Sequence, residues 1–396
     1  MKRSLAIIYL ICNFASVSAK QIKVGLYDSM NKLYLTSNRD YRIIEDQSLN
    51  PGSFMERSTL IEKPKGAPVL LRSSPAAANP LLIASEPDLV TSQKIIKLEC
   101  KDQYLVQAGK LDPCIWQLKP SEDGSFEFDK FRGSIVIIPY KDHFTVINQL
   151  DIEEYLLAVL PSEMISSWPE EALKAQAVAA RTYTYANLGR RRKLGYDLSS
   201  DVSDQKYNGY KHETTRTSAA VKATLDEVIT DKTGKLVEAY YSSHAGRFTA
   251  LPENGWGIAP RHYLIHQMET AADDNKWTLK FSKADINSKL IDLRIGSIDA
   301  ITIVSRGLDN RVLKVLVTGT SGKHVTLTGE EFRHKLGLRS TDFDFRVNAG
   351  VVSFTGIGFG HGIGMSQYGA RQMALDGKNY RQILEYFYPG VKIDKL

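Results

Sequence analysis

Leu160-Pro161-Ser162-Glu163-Met164, followed closely by Ser167-Trp168-Pro169-Glu170-Glu171-Ala172-Leu173-Lys174-Ala175-Gln176-Ala177-Val178-Ala179-Ala180-Arg181-Thr182-Tyr183, is the stretch on which the reading of this 396-residue chain turns. Ser167 stands three residues before Glu170, a capping-box spacing, and Pro169 suits a first helical turn. Alanines at 172, 175, 177, 179 and 180 let a neighbouring element approach closely, so the helix they predict, ending near Gly189, is central to its domain. Upstream, Asp151 precedes Glu154 at the same spacing and predicts a short helix that Pro161 stops. Glu163 is thereby placed on a connector between two helices, where rigid elements hold functional groups. The plain alternative is a carboxylate that caps or ion-pairs a neighbour.

Outward from this centre, Ser134–Pro139 and His143–Ile147 predict a hairpin turning at Lys141-Asp142. Towards the C-terminus, Thr217–Leu225, Ser282–Leu290 and Thr328–Leu336 predict helices. Leu236–Ser242, Ala300–Val304, Val312–Thr318 and Val351–Thr355 predict strands, the middle pair joined at Asp309-Asn310. A Gly-rich loop then leads to two last helices parted by Gly377. There is no regular alternation of strand and helix, so an α+β fold is expected rather than a doubly wound sheet. Residues 20–95 carry short β-like runs, Ile22–Tyr27 and Lys32–Thr36, and a Pro, Ala and Ser-rich loop from Gly66 to Pro80. They are expected to form an N-terminal β-rich accessory region, leaving 96–396 as the main domain.

Lys2 and Arg3, the apolar run Leu5–Ile11 and the small residues of Val17-Ser18-Ala19 have the layout of a secretory signal peptide over 1–19. The apolar run is short for a bilayer, so an exported, extracytoplasmic chain with no transmembrane segment after cleavage is expected. In an oxidising compartment Cys100 and Cys114 are expected to pair as a disulfide around Gly109 and Pro113, the alternative being two separate thiols. The net charge of +6 includes Lys2 and Arg3. It suits an anionic envelope, but no nucleic-acid-binding motif accompanies it.

Three further segments bear chemistry. Lys174 and Arg181, seven apart, share one helical face, with Gln176 and Tyr183 on the next; they orient a substrate or are a solvated stripe. Gly356-Ile357-Gly358-Phe359-Gly360-His361-Gly362-Ile363-Gly364 leads into Met365-Ser366-Gln367-Tyr368. Such glycine density means close backbone approach, either to a polar ligand facing His361, Ser366, Gln367 and Tyr368 or to a packed neighbour. Phosphate-loop spacings are absent. Tyr240-Tyr241-Ser242-Ser243-His244 lacks a nucleophile elbow, and His262 and His266 lack the intervening Glu of a zinc protease, so no metal and no cofactor are expected.

Taken in order, Val146–Asn148, Ile152–Leu156, Leu160–Met164, Trp168–Tyr183, Tyr207–Gly209, Ala220–Lys222, Tyr240–Ser243, Gly360–Ala370 and Tyr386–Gly390 resemble the stage II sporulation protein D (SpoIID/LytB) family. That family contains peptidoglycan lytic transglycosylases. The resemblance covers roughly 100–396 and implies a mixed sheet and helices around a glycan-binding groove. It implies Glu163 as the catalytic residue, with Lys174 and Arg181 lining the groove. Gln176, Tyr207, Ser242, Ser243, His361, Ser366, Gln367 and Tyr368 are the accompanying substrate-binding candidates, and Trp168 is a further ring face for sugars. Some members hold zinc through a His and two Cys; here Cys100 and Cys114 lie upstream of the catalytic motif, so that metal site is expected to be absent. His244-Ala245-Gly246 departs from the family's Ser-Gly-Gly and leaves that loop's role open.

The implied chemistry needs one carboxylate where ordinary glycosidases need two. The implied partners are peptidoglycan glycan strands stripped of stem peptides, with a cell-wall amidase as a candidate protein partner, in division or sporulation. Three other readings stay open: a non-catalytic, peptidoglycan-binding stimulator of an amidase, a hydrolase in which Asp204 supplies the second carboxylate, and a structural envelope protein, which the loop chemistry disfavours most.

Overall fold

The computed structural model describes residues 20–30, 32–46, 58–67, 69–73, 81–85, 88–92, 95–100, 104–107, 110–119, 129–139, 143–271 and 275–396. The expected signal peptide over 1–19, the Lys141-Asp142 turn and Gly109 lie outside them. The chain divides into two compact units: residues up to 126 with Arg132–Tyr155, and Glu127–Phe131 with Leu156–Leu396.

The first unit is built of antiparallel strands. One sheet runs in the order Gln21–Met30, Phe144–Asp151, Ser134–Pro139, Ile95–Cys100, Tyr41–Asp46, Ser58–Lys63. A second contains Trp116–Lys119, Lys32–Ser37, Val69–Ser73, Leu81–Ser85 and Asp88–Ser92. Ile22 and Val24 are buried at period-two spacing, whereas Ser134–Ile138 and Phe144–Asn148 are buried on both faces, which suits their β-branched runs to the middle of the sheet. Trp116 stands edge-on to Tyr41 and donates its indole N–H to Gly133 O at 2.9 Å. Cys100 and Cys114 are joined by a disulfide, with Cα atoms 6.4 Å apart. Within Gly66–Pro80, Val69–Ser73 is a strand and not loop, because Val69, fully buried, supplies core contact that the nearby prolines obscure in the sequence.

The helices are α1 (Ile152–Glu163), α2 (Glu170–Ala186), α3 (Thr215–Ala223), α4 (Pro252–Gly255), α5 (Lys283–Lys289), α6 (Gly329–Leu336), α7 (Gln367–Leu375) and α8 (Tyr380–Phe387). Two local expectations are corrected. Pro161 lies inside the last turn of α1, where its missing N–H costs a single bond before the helix ends anyway. The Ser167 capping box does not form: Pro169 occupies the N-cap of α2 with no side-chain cap bond. Asp151 does cap α1, accepting the Glu153 N–H at 2.8 Å.

α2 is the spine of the second unit. Ala172, Ala175, Ala177, Ala179 and Ala180 are fully buried, and α3, α7, α8 and strand Glu227–Thr230 all pack on it. Methyl-sized side chains let those neighbours approach from several sides. Of the predicted strand Leu236–Ser242, Tyr241–Ser242 pairs in parallel with Met365–Ser366, and Leu236 makes an isolated antiparallel bridge to Thr230.

Between that pair the chain makes a long excursion. Lys276–Ser282, Val351–Ile357 and Phe343–Asn348 form one three-stranded sheet, and Ile298–Arg306, Val312–Gly319 and His324–Thr328 another. Capping boxes at Ser282/Asp285 and Thr328/Glu331 start α5 and α6. Trp277, Val315, Val317, Phe332, Phe343 and Phe354 belong to a separate core, so this module has its own hydrophobic centre. Among the described residues no helix is long and apolar enough to cross a membrane.

Candidate active site

Glu163 ends α1, and the loop 206–208 closes over it. The Lys206 backbone N–H donates to Glu163 Oε1 at 2.6 Å, and the Asn208 N–H to Ser162 Oγ at 3.3 Å. Ser162 in turn donates to Ala158 O at 2.7 Å, back along α1. Gly209 makes the tight return: it has φ of 73°, and a Cβ there would lie 2.8 Å from the Phe131 ring. The Glu163 carboxyl is half-buried. Desolvation raises its pKa above the usual carboxylate range, while the Lys206 N–H, the Lys206 charge and the Gln367 side chain pull the other way.

Gln367 arrives from the far end of the chain, in the first turn of α7. Its amide bonds Glu163 and donates to Gln176 Oε1 at 3.4 Å. Ser366 caps α7 by accepting the Gly369 N–H, and donates to Glu269 Oε2 at 2.6 Å. Glu269 is a buried anchor that also accepts the Ala245, Thr270 and Ala271 N–H groups and stands 3.4 Å from His244 Nδ1. Next in line, the Tyr368 N–H donates to Ser243 O at 3.0 Å, and its ring meets Trp168 edge-on at 4.9 Å. Arg371 lies over the Trp168 ring. The folding thus gathers Glu163, Gln367, Gln176, Ser242, Ser243, Ser366, Tyr368 and Trp168 around the end of α1; Glu163 is the last helical residue there and not part of a connector.

The glycines ahead of α7 make this possible. Gly364 has φ of 74°, and a Cβ there would fall onto the Tyr240 carbonyl carbon at 2.8 Å; Gly358 lets the His244–Gly246 backbone approach. The loop therefore packs against protein along these positions.

Several candidates for ligand contact make their polar or packing contacts within the protein. Arg181 is fully buried and donates to Val221 O and Glu227 O, both at 3.2 Å, tying α3 and the following strand to α2. Gln176 has no exposed surface and faces Gln367. Tyr207 is buried against Phe131. His361 accepts the Ile363 N–H on Nδ1 at 3.0 Å and bonds the Tyr241 backbone. Burial, with Arg333 and Arg311 nearby, lowers its pKa to about 3, so it is a neutral loop-shaping group. Lys174 pairs with Glu170 at 2.6 Å and Glu171 at 3.0 Å on its own helix. Asp204, the alternative second carboxylate, has a buried side chain taken up by Arg191, the Ser199 N–H at 2.8 Å and Tyr183 OH at 3.3 Å. The backbone donor at Lys206 and the anchor Glu269 were not legible beforehand; positive φ at Gly209 is the one local signal for the former.

A mixed α+β unit thus holds the half-buried Glu163 carboxyl between a helix end, a backbone N–H and a Gly-rich motif from the far end of the chain. The sequence profile "Stage II sporulation protein" matches residues 140–230, which contain Glu163 and α2. A domain of unknown function, DUF8618, matches residues 254–364. The chain is 31% identical over 282 residues to stage II sporulation protein D of Bacillus amyloliquefaciens, covering 67% of this chain and 80% of that protein. It is 37% identical over 270 residues to an uncharacterized protein of Brachyspira hyodysenteriae, covering 67% and 72% respectively. With the amidase enhancer of Bacillus subtilis it shares 29% identity over 290 residues, 60% of this chain and 40% of that protein. The chain belongs to the stage II sporulation protein D (SpoIID) family.

Proposed function

We propose that the protein is an exported peptidoglycan lytic transglycosylase of the cell envelope, with Glu163 as its sole acid and base. The observation that carries this is the Glu163 environment: a half-buried carboxyl whose burial favours the protonated form, steadied by one backbone N–H and one amide. A protonated carboxyl near neutral pH is what a general acid requires. Protonated Glu163 donates to the glycosidic oxygen between muramic acid and glucosamine as that bond breaks. The resulting carboxylate, received by the Lys206 N–H and Gln367, takes the proton of the muramic C6 hydroxyl. That oxygen closes onto C1 to give a 1,6-anhydro end, and no water is consumed.

Tyr368, partly exposed and backed edge-on by the buried Trp168, offers ring surface for sugars in this reading. Ser243 and the loop 206–208 edge the same region, which is where a glycan groove is placed in this reading. The removal of Asp204 from consideration by its ion pairs favours substrate-supplied over water-supplied attack. The likeness to stage II sporulation protein D supports wall remodelling in division or sporulation as the process served. The likeness to an amidase enhancer favours a second reading, a wall-binding stimulator of an amidase.

One experiment separates these. Glu163→Gln keeps the size and removes the proton, so release of anhydro ends from purified glycan strands should fall by about 10²–10⁴-fold. Unchanged release removes the enzyme reading.

A further inference from the structure

The module with its own core leaves the site strand after His244–Gly246 and returns at Gly358, where the His244 and Phe359 backbones pair. One of its side chains leaves its own core for the site. Arg311, fully buried, follows the Asp309-Asn310 turn, where Asn310 has φ of 66°. Its Nη1 donates to Thr341 Oγ1 at 3.1 Å inside the module, while Nη2 donates to Ala245 O at 2.5 Å in the site strand. The guanidinium then lies under Gly362: a Cβ at that position would stand 2.6 Å from Arg311 Cζ. Only glycine at 362 lets the loop rest on that cation.

The chain of contacts continues to the carboxyl. Gly362 O accepts the Ala250 N–H at 2.8 Å, Gly364 rests on Tyr240, and two residues later Ser366 and Gln367 open α7. A buried guanidinium is a costly way to gain stability alone, since its desolvation offsets much of what Asp309, 3.6 Å away, returns. Its planar, fixed donors suit setting the position of two backbones at once.

We propose that Arg311 is a positioning residue: through Ala245 and Gly362 the module sets the Gly-rich loop so that Gln367 meets Glu163. This rests on the reading of Glu163 as the catalytic acid and base. Held loosely, Gln367 would no longer stabilise the Glu163 carboxylate, and the acid would be misplaced relative to its substrate.

The test uses the full chain with Arg311→Met, Arg311→Lys and Gly362→Ala, on amidase-treated glycan strands. For Arg311→Met, kcat should fall about 10- to 100-fold, the scale of a small misplacement, with KM within about twofold. The alkaline limb of the rate profile should move to higher pH. Arg311→Lys, with one donor in place of the fork, should recover part of both effects. Gly362→Ala crowds the guanidinium and also strains a φ of 77°, so it should lower kcat at least as far. Arg311→Lys decides the matter if Arg311→Met does not fold, and a wild-type kcat and limb in it overturn the proposal. Folded Arg311→Met with unchanged kcat and limb overturns the proposal. A separate readout needs no substrate: the stability difference between the chain and its Glu163→Gln variant, followed against pH, reports the Glu163 proton affinity. If no anhydro ends are released at all, the catalytic reading fails. Even then, an upward displacement of that curve by Arg311→Met supports the positioning role, and coincident curves overturn it.

Discussion

Replacing Gln367 with methionine keeps the length of the side chain and removes its donor. The Gln367 amide stabilises the ionised form of Glu163, so its loss favours the protonated acid still further. A hydrogen bond to a charged group contributes about 1.5–3 kcal/mol. Glu163 is only half-buried, so water recovers part of that, and a net effect near the lower bound is expected. About 1.4 kcal/mol is a tenfold change in proton affinity, which moves the alkaline limb of kcat/KM up by about one pH unit. The rate on the acidic side should change little, because the proton to be donated is already in place there. Initial rates of anhydro-end release from pH 5 to 9, on the chain and on Gln367→Met, measure the shift. A limb that stays in place, or moves down, would refute the coupling of Gln367 to Glu163.

Three other outcomes follow from the same contacts. Because desolvation raises the folded-state pKa of Glu163, the fold holds an extra proton. Its stability therefore falls as pH rises from the ordinary carboxylate value of 4.5 through the folded value. Glu163→Gln should accordingly unfold at a higher temperature at neutral pH, and the gain should disappear below that window; calorimetry at several pH values reads it. Arg181→Met strands two buried carbonyls and should cost roughly 2–4 kcal/mol in denaturant unfolding with KM unchanged; a raised KM without destabilisation would return Arg181 to the groove. Cys100→Ser with Cys114→Ser opens a loop with a sequence separation of 14 and should cost about 3 kcal/mol in unfolding of the first unit. An unchanged transition would mean the bond constrains little.

The fold was legible where local chemistry decides it. The Thr328/Glu331 and Ser282/Asp285 boxes, the Asp309-Asn310 turn and the Ala-rich face of α2 all appear where their residues place them. The Ser167 box failed because a proline, having no N–H to offer, took the cap position itself. Lys174 and Arg181 show the limit of periodicity: it gives their common azimuth but not what covers each turn. Lys174 lies near the open end of α2 beside Glu170 and Glu171, whereas two turns on Arg181 lies beneath α3. Likewise the Gly-His-Gly motif announced close approach without saying to what. The answer, Tyr240 on one side and Arg311 on the other, depends on contacts between residues far apart in the chain. Gln367 reaches Glu163 across the same kind of distance, and no spacing rule connects them.

Glu163 acting alone is most directly tested by the ends it leaves. Purified glycan strands, intact and amidase-treated, are incubated with the chain and with Glu163→Gln, and the products are weighed by mass spectrometry. Anhydro ends released by the chain and lost in the variant are the predicted result. Reducing ends heavier by one water would contradict it, as would anhydro ends released equally by both.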